Sequence, residues 1–202
     1  MDTIVLATNN KGKIKELSVM LEPFGVVVKS LSEFPEIGEI PETGDTFLEN
    51  AFIKARAVAE ITGLVAVADD SGIEVDALDG RPGVYSARYA GEECDDHANN
   101  EKMLEELKDV PDDKRTGRYR CVMAAVAPNG QEISADGAYE IQVAHGYKGE
   151  GGFGYDVIAI DPELGCHVAE LDSAVKNKRS HRGKAMKKVL EMWPGFWEKA
   201  QA

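Results

Sequence analysis

Cysteine is scarce in this chain and poorly placed for bridging: Cys94, Cys121 and Cys166 form an odd, widely spaced set with no C-x-x-C pair. That pattern argues against a disulfide framework and against a zinc site, and it suits a reducing compartment. No run approaches the roughly 20 apolar residues of a membrane span. The chain opens Met1-Asp2-Thr3 and then Ile4–Ala7, with no basic n-region and an apolar stretch too short for a signal peptide. A cytoplasmic protein without a membrane partner is therefore expected. Positive charge is also short, since 23 Lys and Arg face 36 Asp and Glu, a formal net charge of −13. Gripping a nucleic-acid backbone requires clustered Lys and Arg, so nucleic acid is not an expected partner. A small phosphorylated ligand would need local positive charge, or a metal ion, set against a repulsive field. Internal repeats and low-complexity linkers are missing too. With 202 residues, 43% hydrophobic and 29% charged, the chain can bury one sizeable core, and residues 1–202 read as a single domain.

The chain alternates strand and helix signals. Ile4–Ala7 reads as a buried strand, and Ile14, Leu17 and Leu21 follow at helical spacing. Val26–Leu31 predicts a second strand, and Ser32–Asp45 a loop. Thr46 to Glu49 has capping-box spacing and starts a helix whose Phe47, Ala51, Ala55 and Val58 line one face. Leu64–Ala68 predicts a strand ending at Asp69-Asp70-Ser71-Gly72. Gly80–Gly91 reads as loop, Asn99–Lys108 as helix, and Cys121–Ala127 with Ala138–Val143 as a hairpin around Pro128-Asn129-Gly130. A Gly-rich loop over Gly149–Gly154, a strand over Val157–Ile160 and a helix through Ala185, Val189, Leu190 and Trp193 close the chain. The pattern implies an α/β fold on a mixed sheet.

Several segments carry candidate chemistry. Thr8-Asn9-Asn10-Lys11-Gly12-Lys13 lies between a strand and a helix, where backbone N–H groups, the helix dipole and two lysines favour an anion. It is not a Walker A loop, because Ala7 replaces the first glycine and Ile14 the Ser or Thr that would bind magnesium. The segment alone also fits a solvated turn. Asp69-Asp70, at the end of a buried strand, stands where α/β sheets place ligand sites, and two hard carboxylates suit Mg²⁺. The pair alone also fits a strand-ending turn. Glu42-Thr43-Gly44 offers another loop carboxylate. Asn50 and Lys54 share a helix face and, taken alone, read better as solvent-facing. In Gly149–Asp156 the glycines leave Phe153 accessible to a planar base, although a turn with core aromatics has the same composition. Lys176 and Ser180-His181-Arg182 place donors before the last helix, where a serine N-cap with surface neighbours is the alternative. No G-x-S-x-G elbow supports a serine hydrolase.

The ordered motifs T-N-N-K-G-K, E-T-G-x-T-F-x-E-N-A, A-D-D-S-G, P-G-V-Y-S-A-R-Y, G-G-F-G-Y-D and S-H-R run from Thr8 to Ala185. Together they resemble the inosine triphosphate pyrophosphatase family, whose members hydrolyse ITP, dITP and XTP to the monophosphate and pyrophosphate and so cleanse the nucleotide pool. The resemblance implies an elongated mixed β-sheet flanked by helices, two lobes with a central nucleotide-binding cleft, and a homodimer. By motif, it implies that Thr8, Asn9, Asn10, Lys11, Gly12 and Lys13 hold the triphosphate. Glu42 and Asp70 would bind Mg²⁺, Asp70 would accept the proton, and Ser71 would touch the substrate. Phe153, Gly154, Tyr155, Asp156, Lys176, His181 and Arg182 would enclose the nucleoside. Two departures stand out: Val157 where a proline commonly follows G-Y-D, and Val175 where an acid commonly precedes the lysine. The first is expected to loosen the base loop, the second to alter only the electrostatic support of Lys176.

The expected reaction is in-line attack on the α-phosphorus by a water that Asp70 deprotonates, with Mg²⁺ and lysines neutralising the leaving pyrophosphate. A non-catalytic nucleotide sensor using the same pocket is the alternative, distinguished by the absence of product over time. An aspartyl-nucleophile phosphatase fits poorly, because no D-x-D follows the first strand.

Overall fold

The computed structural model describes residues 3–9 and 11–202. Seven strands form one sheet in the order β2-β1-β3-β4-β5-β6-β7: β1 Thr3–Leu6, β2 Val27–Ser30, β3 Val65–Val75, β4 Thr116–Val126, β5 Glu132–Val143, β6 Ala159–Asp161 and β7 Cys166–His167. Parallel pairs β1/β2 and β1/β3 occupy one side, antiparallel pairs β5/β6 and β6/β7 the other, so the sheet is mixed. The helices are α1 Lys11–Leu21, α2 Phe47–Thr62, α3 Asp96–Glu106, α4 Ser173–Arg179 and α5 His181–Ala200. None of the described helices is long and apolar enough to cross a membrane.

The chain divides into two compact units. The first comprises Met1–Asp70, Cys121–Asp136 and Ala185–Ala202. Its core joins Ile4 and Leu6 of β1, Val65 and Val67 of β3, Leu17 and Leu21 of α1, and Met186, Val189, Trp193 and Phe196 of α5. These are the apolar positions at period 3.6 on the helices and period 2 on the strands. The α2 capping box forms as its spacing predicts: Thr46 Oγ1 accepts the Glu49 N–H at 3.1 Å and Glu49 Oε2 accepts the Thr46 N–H at 3.1 Å. Phe47, Ala51, Ala55 and Val58 are its buried face. Helix α5 continues through Pro194, a residue that costs a helix interior about 3 kcal/mol. Burial of Trp193 and Phe196 on either side of it offsets that cost.

The second unit comprises Ser71–Arg120 and Gly137–Lys184, with Ile73, Val75, Met103, Tyr139, Ile141 and Ile158 in its core. Arg115, 1% exposed, donates to the carbonyls of Val143 at 2.8 Å, Ala144 at 2.7 Å and Leu107, tying the end of β5 to the exit of α3.

Some boundaries differ from the sequence expectation. The hairpin arms are longer, α3 starts three residues earlier with Asp95 as its N-cap, and α4 appears where only isolated donors were expected. The consequential difference is β3. It does not stop at Ala68 but runs on to Val75, so Asp69 and Asp70 lie inside a strand rather than beyond its end.

Candidate functional site

The acids of β3 lie just past the point where their neighbouring strand stops short. Strand β1 pairs with β3 only as far as Leu6 opposite Val67, and the Ala7 N–H makes one more bond to the Val67 carbonyl at 2.8 Å. Thr8 then turns back, its N–H on the Leu6 carbonyl at 2.8 Å, and α1 begins at Lys11. Past Val67 one edge of β3 lacks this partner, which is where Asp69 and Asp70 stand. They are 4% and 8% exposed. A strand edge freed in mid-strand thus serves as the expected strand terminus would have.

Lysines meet these acids. Lys13 Nζ lies 2.7 Å from Asp69 Oδ2. Lys54 Nζ lies 2.6 Å from Glu42 Oε1 and 3.3 Å from Asp70 Oδ1. Lys54 and Asn50 do not face solvent, as their helix spacing alone had suggested: Asn50 is fully buried and only 12% of the Lys54 side chain is exposed. Asn50 Oδ1 accepts the Gly44 N–H at 2.8 Å, which pins the Glu42-Thr43-Gly44 loop onto α2. Only glycine fits there, because a Cβ on Gly44 would fall 2.6 Å from Glu49 Cβ.

Three carboxylates (Glu42, Asp69, Asp70) therefore share two ammonium groups. Burial, foremost, and the Glu42 charge push the Asp70 carboxyl above its ordinary range, against the opposing pull of Lys54 and of the nearby Asn50 amide. Burial works against the charge of Lys54, but Asp70, Glu42 and Asp69 outweigh it and hold the amine protonated. The Lys54 shift reports the surrounding negative charge, whereas the Asp70 shift reports burial first and the Glu42 charge second. Asp70 Oδ2 and Asn50 Nδ2 are buried without a hydrogen-bond partner of normal geometry, which singles out Asp70 Oδ2 as the atom available to a cation or a water. Among the described residues no three His, Cys, Asp or Glu side chains converge as a metal cage. Two carboxylates, one with a free oxygen, fit Mg²⁺, which usually takes one or two carboxylates and completes its shell with water and phosphate.

The remaining residues of the first motif are partly defined. Thr8 is half-buried and Asn9 exposed, while Asn10 as a whole and the surroundings of Lys11 and Gly12 lie outside the described residues. Ser71 follows Asp70 within β3 and is half-buried.

A second group forms in the second unit. Phe153 is 61% exposed, with Lys176 Nζ 4.6 Å and Arg182 Cζ 5.9 Å from its ring centroid. Asp156 organises this cluster: Oδ2 accepts the Phe153 N–H at 2.9 Å and faces Lys176 Nζ at 2.5 Å, and Oδ1 accepts the Tyr119 hydroxyl at 3.2 Å. A Cβ on Gly152, whose φ is +79°, would fall 2.1 Å from Asp156 Oδ2, so the glycine is required. The Tyr119 ring stacks on His181 with centroids 5.2 Å apart. Burial, foremost, and the adjacent Asp156 raise the Tyr119 phenol well above its ordinary value, keeping it a neutral donor. Sequence reading missed Tyr119: the expected hairpin arm began only at Cys121, and the partners of Tyr119 lie 37 and 62 residues away and meet it only in the fold.

Arg182 is 6% exposed and His181 half-buried, so neither is the surface neighbour of a serine cap, although Ser180 Oγ does accept the Gly183 N–H at 3.0 Å. Tyr155 belongs to the core, with its hydroxyl on the Ser86 carbonyl at 2.7 Å. The Val157 carbonyl accepts the Lys148 N–H at 2.9 Å, and Val175 is 40% exposed.

A family model described as the Ham1 family matches residues 4–192. A dITP/XTP pyrophosphatase of Nitratidesulfovibrio vulgaris is 56% identical over 201 residues, 96% of this chain and 97% of that protein. One of Bacillus subtilis is 49% identical over 192 residues, 95% and 97% of the two chains. A solved Ham1 protein from Coxiella burnetii superposes with a TM-score of 0.91 at 39% identity, covering 96% of this chain and 100% of that one.

Proposed function

Because this chain belongs to the Ham1 family, we propose that it hydrolyses non-standard purine nucleoside triphosphates, dITP and XTP as in its relatives' names and ITP by the same chemistry, to the monophosphate and pyrophosphate. The observation that carries the mechanism is the buried carboxylate of Asp70, raised in pKa by burial first and by Glu42 second, whose Oδ2 has no hydrogen-bond partner of normal geometry. Asp70 accepts the proton of a water attacking the α-phosphorus. The bond from that phosphorus to the bridging oxygen breaks, and pyrophosphate leaves with the bonding electrons. Lys13 and Lys54, already paired with carboxylates, neutralise the phosphates, with Thr8–Lys13 contributing backbone donors at the start of α1. Glu42 and Asp70 are the residues that would hold Mg²⁺, which when bound supplies charge neutralisation for the phosphates. Ser71, next to the base, touches the substrate.

Phe153 stacks on the purine face, a contact of about 1–3 kcal/mol in comparable base–aromatic pairs. Gly154, Tyr155 and Asp156 complete this part, Tyr155 through its backbone. Lys176, His181 and Arg182 donate to the 6-oxo edge. Adenine presents a donor there and leaves these groups unpaired, so ATP is nearly inert. A homodimer in the cytoplasm completes the reading, resting on the family resemblance and on the scattered cysteines.

A nucleotide panel with Mg²⁺, assayed separately for pyrophosphate and orthophosphate, tests the proposal. Pyrophosphate as first product from dITP and XTP supports it. Orthophosphate first would indicate stepwise dephosphorylation, and binding without product would indicate a sensor.

A further inference from the structure

An exposed aromatic ring on a glycine loop recognises a base only if the loop holds still; within the loop Asp156 fixes the Phe153 N–H, and the next residue, Gly154, is fixed from outside it. Gly154 has a φ of +62°. Both of its backbone polar groups are bonded to α3: Asp96 Oδ2 accepts the Gly154 N–H at 3.0 Å, and Asn100 Nδ2 donates to the Gly154 carbonyl at 3.0 Å. Four residues apart, these side chains share a helix face. Neither is needed to start the helix, because Asp95 is the N-cap and accepts the Ala98 N–H at 3.0 Å. Asn100 is 2% exposed, yet its Oδ1 has no hydrogen-bond partner. A buried amide left half unpaired lowers stability, so Asn100 suits its bond to Gly154 better than it suits the core. The neighbouring Asn99 is satisfied elsewhere, accepting the Ala90 N–H at 2.6 Å and donating to the Ala87 carbonyl at 2.9 Å.

We propose that Asp96 and Asn100 are positioning residues for base recognition, clamping Gly154 so that the Phe153 ring is fixed in its stacking orientation. The inference rests on the reading of Phe153 as the base platform. Its consequence is a division of labour: Asp70 governs turnover, and the clamp governs substrate affinity.

The test uses steady-state pyrophosphate release from dITP, with a melting curve for every variant. Asn100→Ala is expected to raise KM about fivefold, the scale of one lost hydrogen bond, with kcat within about twofold of wild type. Asp96→Ala should act likewise, and Asp96→Asn should recover most of the loss, since its amide oxygen can accept the same N–H. Asp95→Ala weakens the same helix without touching Gly154, so KM should stay at the wild-type value even as Tm falls. In a Phe153→Ala background, Asn100→Ala should add no further increase in KM. A KM unchanged by Asn100→Ala, an equal rise from Asp95→Ala, or a full Asn100 effect without Phe153 would each overturn the clamp. If Phe153→Ala alone leaves KM unchanged, the base-platform reading fails and the clamp falls with it. If wild type releases no pyrophosphate, the proposed reaction itself is at fault.

Discussion

Replacing Asp70 with Asn keeps the side chain's shape while removing its charge and its basic oxygen, so it separates the chemistry of the site from its architecture. The gross attraction between Asp70 and Lys54 at 3.3 Å is about 5 kcal/mol at an effective dielectric of about 20, most of it offset by the desolvation of both groups. Lys54 is not orphaned by the change, because Glu42 Oε1 remains 2.6 Å away. The folded state should therefore shift by no more than about 1 kcal/mol, or about 2–4 °C in Tm for a chain of this size. The sign follows from the raised Asp70 pKa. A carboxyl that ionises less readily when folded withdraws stability as pH rises from its unfolded pKa through its folded one. At neutral pH without metal, Asp70→Asn should thus be slightly more stable than wild type, and the gap should close as pH falls below the ordinary carboxylate range. Turnover should fall about 10²–10⁴-fold, the usual worth of a positioned general base and about 2.7–5.5 kcal/mol of barrier. The loss should appear in kcat for pyrophosphate release from saturating dITP. Unchanged kcat, or a Tm collapse that accounts for the lost activity, would refute the assignment.

Activity should vanish in excess chelator and return with Mg²⁺ but poorly with Ca²⁺, whose larger and looser oxygen shell fits a two-carboxylate site badly; full turnover in chelator would exclude metal dependence. Arg182→Ala should lower kcat/KM for ITP more than for ATP and narrow their ratio, whereas equal proportional losses would assign Arg182 to the phosphates or the fold. Asp161→Ala should cost about 2–4 kcal/mol by urea unfolding, because the fully buried carboxylate binds the Tyr139 hydroxyl at 2.7 Å, Arg179 Nε at 2.6 Å and two backbone N–H groups. Burial works against the Asp161 charge, but these bonds outweigh it and hold the pKa below the ordinary value; the stability it provides should be present above that value and lost as pH falls through the depressed one.

What the sequence determined by itself was local. The capping box at Thr46 and Glu49, the buried face of α2 and the opening of strand, loop and helix were legible because capping and amphipathic periodicity act within a few residues. The six motifs marked most of the candidate residues, since each lies within a short stretch of chain. Only the tertiary structure decided where the edge of β3 opens. Asp69-Asp70 reads as a strand end, and it became a mid-strand site because β1 stops at Leu6, a fact belonging to another segment. Lys54 reads as solvent-facing until the Glu42 loop, pinned by Asn50 at Gly44, closes over it. Tyr119 beneath His181, and Asp96 and Asn100 against Gly154, pair residues 54 to 62 positions apart. Such contacts carry no local period. They form when core burial brings distant segments together, and the polar groups enclosed there must then find partners.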